Sequence, residues 1–184
     1  METRMGESSS NGIMKVMVAI DESDTSFYAL RWTLEHVLNH LHRQGTTLTD
    51  PDEAVGESTA MVTIVHAQQP FQPFVYPAGP VVYPSTTVIE AVTKAQNENT
   101  ASLLTRALHM CKERMVKAET LILKGDPKEA ICQTADDLHV DLLVVGSRGL
   151  SSLKRAFLGS VSDYCAHHVH CPILIVRPPK ETKK

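Results

Sequence analysis

The chain has 184 residues, of which 42% are hydrophobic and 21% charged, with a formal net charge of −3. A chain of this size and composition is expected to form one globular domain with its own hydrophobic core. The weak negative charge argues against a nucleic-acid partner, and no apolar run reaches the roughly 18 residues needed to span a bilayer, so we expect no transmembrane segment.

The N-terminal half begins with a polar tail, residues 1–13, that we expect to be disordered. Residues 15–20 form a continuous apolar run typical of a strand buried on both faces. Acidic and hydroxyl side chains at 21–24 then cap a helix, whose apolar positions recur at three-to-four spacing from Phe27 to Leu41. Residues 61–66 predict the second strand.

Two segments interrupt this pattern. Residues 44–59 are polar and contain Gly and Pro, which predicts an exposed insertion. Residues 67–84 interleave five prolines with aromatic residues, which excludes a helix. We expect this second segment either to fold over a ligand site as a lid or to form a surface loop that packs its aromatic residues onto its own domain.

The C-terminal half alternates helices with strands. A long helix begins at Ser85 or Thr86, and strands are predicted at 119–123, 141–145 and 173–176. The charged tail is residues 179–184, so the folded domain spans 14–178.

Two further helix starts complete the pattern. Asp126, Pro127 and Glu129 mark one as N-cap, first-turn proline and capping-box partner, and Ser160 opens the other. The alternation predicts an α/β fold with a doubly wound five-stranded parallel sheet, strand order 3-2-1-4-5, and helices on both faces.

The four cysteines, at 111, 132, 165 and 171, lie in apolar-patterned segments, so we expect buried free thiols and no disulfide. Cys165, His168 and Cys171 are an alternative metal trio, but a closed zinc site needs four converging ligands, and we expect no metal. The N-terminus lacks the apolar stretch of a secretion signal. We therefore expect a cytoplasmic protein, with the nucleus or the membrane periphery as alternatives.

Two clusters of small residues follow the fourth strand, at 146–149 (Gly-Ser-Arg-Gly) and 159–162 (Gly-Ser-Val-Ser). A glycine that leaves a strand can adopt a positive φ and bring backbone N–H groups close to an anion. The second cluster opens a helix, whose first N–H groups have no helical partner. Together the clusters predict a phosphate-binding site; the alternative is that they only turn the chain and start a helix.

In an open sheet of this order, ligands bind beyond the carboxyl ends of the strands, between strands one and four. Asp21 follows strand one and Gly146 follows strand four, so a carboxylate for sugar hydroxyls is expected beside the phosphate site. We expect Ser23 and Asp24 to cap the helix and leave Asp21 for the ligand. The backbone at the end of strand two is expected to pair with an adenine edge.

The spacing Gly146-x2-Gly149-x9-Gly159-Ser160 resembles the nucleotide-binding pattern of the universal stress protein family. The resemblance runs from about 15 to 177 and is greatest to plant single-domain members. It implies a Rossmann-like fold, similar to the adenine nucleotide alpha hydrolases, that binds ATP or AMP, with Mg²⁺ accompanying ATP. It also implies a role in stress signalling through protein partners and a homodimer joined through the 173–176 strand.

The resemblance assigns site residues position by position. Adenine and ribose are assigned to the strand-one residues Ala19, Ile20 and Asp21, and the base also to Val65 of strand two. Phosphate is assigned to the two small-residue clusters, namely Gly146, Gly149, Gly159, Ser160, Val161 and Ser162. Arg148 is assigned to charge pairing with the phosphate.

Three functions are weighed from the sequence. The preferred one is a nucleotide-binding module whose occupancy stabilises one conformation or one dimer. A slow ATP hydrolase or phosphoryl-transfer enzyme would need a metal-bearing carboxylate and a base, and beyond Asp21 none is evident, so no catalytic residue is assigned. A nucleotide-free dimeric scaffold or chaperone-like protein is the third, which the intact glycine pattern disfavours.

Overall fold

The apolar runs of the sequence form one parallel sheet in a computed structural model, which describes residues 13–39, 60–69, 85–148 and 158–179. Its strands are β1 (Met14–Ala19), β2 (Ala60–Gln68), β3 (Ala118–Lys124), β4 (Leu142–Gly146) and β5 (Ile173–Val176). The helices are α1 (Asp24–Trp32), α2 (Thr86–Glu113), α3 (Pro127–Asp137) and α4 (Ser160–His168). The strands pair in the order β3-β2-β1-β4-β5, which confirms the predicted topology.

The sheet is buried on both faces because its central strands carry apolar side chains on both faces. In β1, Val16 and Val18 pack against one core, which α1 and α2 cover, whereas Met17 packs against a second core. The second core contains Ile131 of α3 and Cys165 of α4. Helices therefore flank the sheet on both sides, as a doubly wound fold requires.

The first helix begins where the sequence predicts. The Ser23 hydroxyl accepts a hydrogen bond from the N–H of Ser26, at 3.2 Å, and caps α1. After Trp32 the helix widens into a π-helical segment, Thr33–Leu38, which the hydrophobic spacing did not predict. That spacing records only which face is buried, and Leu34 and Leu38 remain buried through the wider turn.

The start of α3 differs in detail from its prediction. Asp126 caps the helix and Pro127 occupies the first position, as expected. The Asp126 carboxylate accepts from the N–H of Lys128 at 2.9 Å, and not from that of Glu129, which a capping box would use. Gly125, just before the cap, has a φ of 112°, a conformation that favours glycine.

The strands follow their predicted positions to within one or two residues. The largest difference is at β2, which continues through Ala67 and Gln68, so the predicted loop begins later than residue 67. The insertion at 44–59, the proline-rich residues 70–84, and residues 1–12 and 180–184 of the tails lie outside the described residues. Among the described helices, none is long and apolar enough to cross a membrane.

Candidate functional site

A cavity of about 440 Å³ lies at the carboxyl ends of β1, β2 and β4. Its volume is within the range of sites for small molecules, about 300–1,000 Å³. The end of β1, the end of β4 and the first turn of α4 all contribute to its wall, and so do α2 and α3. The cavity is therefore where the strand order predicts a ligand site.

Asp21 lines this cavity, but it is less free than the sequence predicts. Ser23 caps α1 and also binds Asp21: its N–H donates to Oδ1 of Asp21 at 3.0 Å, and its hydroxyl donates to the same oxygen. The Ser26 hydroxyl donates to the Asp21 carbonyl at 2.9 Å and holds the backbone. Within the described chain, both bonds to the carboxylate fall on Oδ1, which leaves Oδ2 available to a ligand.

Gly146 is required by packing and not by a positive φ. A Cβ built at this position would lie 3.1 Å from the backbone nitrogen of Ser26 and 3.2 Å from the carbonyl carbon of Thr25. The positive φ that a glycine can adopt after a strand is not used here, since among the described glycines Gly125 alone has one. The end of β4 thus approaches the first turn of α1 closely enough to exclude a side chain.

The first turn of α4 presents backbone donors to the cavity. Gly159 is the N-cap, with φ −69° and ψ 154°, and no side chain among the described residues caps the helix. The first helical bond is donated by Asp163 to the Gly159 carbonyl, at 2.8 Å. The N–H groups of the three residues between them have no helical partner, and the helix dipole adds partial positive charge there. This turn is therefore suited to an anion.

Two hydrogen bonds to the Ser147 carbonyl fix the start of α4 against the end of β4, and a third closes the first turn of the helix. Gly159 donates its N–H to the Ser147 carbonyl at 2.9 Å. The buried hydroxyl of Ser162 lies 3.3 Å from that same carbonyl and 3.0 Å from the carbonyl of Gly159. The two small-residue clusters are thus joined directly, although Gly149 lies outside the described residues.

The structure gathers most of the predicted site residues at one cavity. The residues that line it are Ala19, Ile20, Asp21, Gly146, Arg148, Gly159, Ser160, Val161 and Ser162. Among the predicted site residues that the structure describes, Val65 is the exception, because it is completely buried and does not line the cavity. Its carbonyl instead accepts the N–H of Ile20 at 2.9 Å.

The residues that follow Val65 occupy the expected strand-two position. His66, Ala67 and Gln68 all line the cavity. The His66 ring is buried, with Nδ1 3.0 Å from the Ile20 carbonyl, and since a carbonyl only accepts, Nδ1 carries a proton. Backbone groups two residues apart face the same neighbouring strand, so Ala67 directs its N–H and C=O to the β1 side, where β1 has already ended.

The sequence analysis missed the contributions of α2 and α3. Gln96, Asn99 and Thr100 of α2, with Pro127 and Ile131 of α3, complete the cavity wall. The Asn99 amide donates to the Glu22 carboxylate at 2.8 Å and joins α2 to the loop after β1. Polar residues on a helix usually mark its solvent face, so the sequence gave no signal for these three residues of α2, and the burial of Thr100 is evident only in the structure.

The alternative metal trio is not assembled. The described residues contain no group of three or more His, Cys, Asp or Glu placed to hold a metal ion. The His168 ring instead stacks on Tyr164 at 3.8 Å between centroids, and its Nδ1 lies 2.8 Å from the Tyr164 carbonyl. Cys165 of α4 is buried in the core between the helix and the sheet.

Comparison with known proteins gives one consistent result. Residues 12–177 match the model of the universal stress protein family. The universal stress protein YxiE of Bacillus subtilis is 32% identical over 163 residues, which cover 89% of this chain and 98% of that protein. A universal stress protein A-like protein of Arabidopsis thaliana is 29% identical over 172 residues, 89% of each chain.

Solved structures agree in fold. A universal stress protein family protein of Arabidopsis thaliana, solved with AMP bound, has a TM-score of 0.60 at 24% identity, covering 93% of this chain and 95% of its own. A universal stress protein solved in complex with cAMP has a TM-score of 0.55 at 23% identity, covering 90% and 97%. The universal stress protein of Archaeoglobus fulgidus, solved in complex with dAMP, has a TM-score of 0.51 at 20% identity, covering 88% and 96%.

Proposed function

Because this chain belongs to the universal stress protein family, we propose that it binds an adenine nucleotide in the cavity and acts as a stress-response sensor or signalling module. Binding would stabilise one conformation or one dimer, which needs no bond-breaking residue. The observation that carries the proposal is the convergence of Asp21, the Ala67 backbone and the uncapped start of α4 on one cavity. Structural neighbours solved with AMP, cAMP and dAMP support it.

Each end of the cavity suits one part of a nucleotide. The N–H and C=O of Ala67 form a donor and acceptor pair that matches N1 and the N6 amine of adenine, whereas guanine presents the opposite pattern. We therefore assign to Ala67 the base contact that the sequence placed at Val65. Oδ2 of Asp21 accepts from ribose hydroxyls.

The phosphate falls at the first turn of α4, where the N–H groups of Ser160, Val161 and Ser162 are available. Arg148 lines the same cavity and adds positive charge. Either AMP or ATP fits this assignment. When ATP is the ligand, Mg²⁺ would supply further neutralisation of its triphosphate.

Asp21→Asn is expected to weaken AMP and ATP binding about 30-fold, because a charged acceptor for the ribose hydroxyls is lost. The asparagine oxygen can still accept from Ser23, although more weakly than the carboxylate, so the free energy of unfolding of the unliganded protein should fall by no more than about 1 kcal/mol in urea denaturation. Calorimetric titration with AMP, ATP and GTP, with and without Mg²⁺, measures both the affinity and the base preference.

Asp24→Asn is the matched control. Asp24 is exposed, lies three residues along the chain and does not line the cavity, so the same loss of charge there should leave affinity unchanged. Equal weakening by both variants, or no binding by the natural protein, would contradict the site. Steady release of inorganic phosphate from ATP would assign a slow hydrolase instead.

We also propose that the protein forms a homodimer through β5. Both β3 and β5 are edge strands, but β3 carries Glu119 and Lys124, charges that discourage strand pairing. In contrast, β5 consists of Ile-Leu-Ile-Val, and its first three residues are only half-buried. An apolar edge of this kind is suited to a second copy of the same strand.

Leu174→Lys is expected to shift the protein from dimer to monomer in sedimentation velocity experiments at micromolar concentration. The control is Ile122→Lys on β3, the opposite edge, where the side chain is 50% exposed and the dimer should persist. Circular dichroism establishes that each variant is folded. A natural protein that stays monomeric throughout a dilution series would remove this proposal.

A further inference from the structure

Two thiols from different helices meet beneath the cavity. Cys132 of α3 and Cys165 of α4 lie with their sulfur atoms 3.7 Å apart, and the Cys132 thiol donates to the Cys165 sulfur. Cys165 is completely buried, whereas Cys132 is 7% exposed. The two residues are 33 positions apart in sequence, so only the packing of α3 against α4 brings them together.

We propose that Cys132 and Cys165 are an oxidation site, at which a hydroperoxide produces an intramolecular disulfide that joins α3 to α4. The sulfur atoms of a disulfide are about 2.05 Å apart, so the pair must approach by somewhat less than 2 Å. The side chains already point at each other, and the remaining approach needs small rotations and a small shift of the helices. In proteins of reducing compartments, such bonds are typically transient and redox-sensing.

The chemistry needs one hydroperoxide for each disulfide. The Cys132 thiolate, the more accessible of the two, attacks the terminal oxygen of the hydroperoxide and the O–O bond breaks. An alkoxide, or hydroxide from hydrogen peroxide, leaves and takes up the proton that the Cys132 thiol released on ionisation, which gives an alcohol or water. Cys132 is then a sulfenic acid. The Cys165 sulfur attacks the sulfenic sulfur, the S–O bond breaks, and water leaves with the Cys165 proton. Two thiols are oxidised and one peroxide is reduced.

The surroundings of Cys132 and Cys165 make their oxidation slow at neutral pH. Burial above all, together with the neighbouring Cys132 and Cys171, raises the pKa of the Cys165 thiol to about 12. Burial also raises the pKa of Cys132, as does the Asp136 carboxylate, while the hydrogen bond to Cys165 opposes the shift. The thiolate is the reactive form, so the rate of oxidation should rise with pH from about 7 to about 9.

The disulfide would act on the cavity through the helices that it joins. Pro127 and Ile131 of α3 line the cavity, and so does the first turn of α4, which begins five residues before Cys165. Drawing the two helices together would move the α4 donors away from the position that phosphate requires. On this point the inference rests on the proposed function: oxidation should weaken nucleotide binding, and bound nucleotide should disfavour the disulfide at equilibrium by the same free energy. Bound nucleotide should also slow oxidation, because it holds α3 and α4 in the arrangement that the disulfide would change.

The test is oxidation of the reduced, full-length protein by hydrogen peroxide, followed by digestion and mass spectrometry without reductant. We expect free thiols to fall from four to two, with one disulfide-linked peptide pair containing Cys132 and Cys165. This readout needs no variant. Four persistent thiols, an intermolecular disulfide through Cys171, or sulfinic acid at Cys132 would overturn the proposal.

Two alanine variants form a matched pair. Cys132→Ala should abolish the loss of thiols at Cys165, whereas Cys111→Ala should leave the oxidation unchanged. Cys111 is also completely buried, and burial raises the pKa of its thiol to about 11. The two variants therefore each remove one buried thiol, but only Cys132→Ala removes the sulfur that lies next to Cys165. Equal oxidation of Cys165 in both variants contradicts a disulfide with Cys132.

Adding AMP separates this inference from the proposed function. Slower oxidation with AMP supports the link between the thiol pair and the cavity. Formation of the Cys132–Cys165 disulfide at the same rate with saturating AMP, in a protein shown by calorimetry to bind AMP, would overturn that link alone. Absence of AMP binding, with the disulfide still formed, would overturn the proposed function and leave the oxidation site standing.

Discussion

Gly159→Asp is expected to stabilise the unliganded protein by about 1 kcal/mol and to weaken nucleotide binding more than about 100-fold. Gly159 is an N-cap without a side chain, and its φ of −69° and ψ of 154° suit aspartate. The new carboxylate would accept from the N–H groups of Val161 or Ser162, the donors that we assign to phosphate. The substitution thus places a carboxylate at the helix N-terminus, where it stabilises the helix and repels the phosphate of a nucleotide.

The opposite signs of these two effects make the result specific. Urea unfolding measures the stability of the unliganded protein, and calorimetric titration with AMP measures the affinity. Gly159→Asn is the control, because asparagine caps nearly as well but carries no charge to repel phosphate, so its loss of affinity should be several-fold smaller. A Gly159→Asp protein that binds AMP as the natural protein does would show that phosphate lies elsewhere.

Gly146→Val is expected to lower the free energy of unfolding by about 3 kcal/mol, because the added side chain meets backbone that has little room to move. The Cβ alone would approach the Ser26 nitrogen to 3.1 Å, inside ordinary van der Waals contact. Valine adds two further carbons at the junction of β4 and α1. Urea denaturation with a two-state fit measures the change.

Gly125→Ala measures the cost of an unfavourable backbone conformation without the steric contact that Gly146→Val introduces. A Cβ at Gly125 would meet nothing within 4 Å, but the φ of 112° is strained for alanine. We expect a loss of about 1–2 kcal/mol there, without any steric contact. Gly146→Ala should cost less than Gly146→Val, since only the Cβ contact remains. Equal stability of Gly146→Val and the natural protein would mean that β4 and α1 separate without cost.

The sequence predicted the strand order, and it predicted which loops meet at the cavity, because both follow from local patterns. Apolar runs and helix caps alternate along the chain, and parallel strands allow few arrangements of such a pattern. The clusters that begin at Gly146 and Gly159 follow the fourth strand directly, so their meeting at one cavity needed only the sheet rule.

The misses come from information that a local pattern does not carry. Val65 and Ala67 share one side of β2, and which of them faces the cavity depends on where β1 ends, a boundary that propensity fixes only to within one or two residues. The positions of Asn99 and Thr100 in the cavity wall depend on how α2 crosses the sheet. The approach of Gly146 to α1, which explains that glycine better than a turn does, is likewise a matter of packing.

The length of α2 has a consequence for how the cavity opens. The helix has 28 residues, and its first buried residue is Thr100, so the fourteen residues before it add little burial to the fold. Local unfolding is cheapest where few apolar contacts are lost, and α2 should therefore exchange its amide hydrogens from its N-terminus toward Thr100. Gln96 and Asn99 lie at the boundary between the loosely and firmly held halves. A ligand that touches them would extend the protected part of α2 toward its N-terminus. Occupancy of the cavity would then be detectable as slower amide exchange in residues of α2 that do not line the cavity.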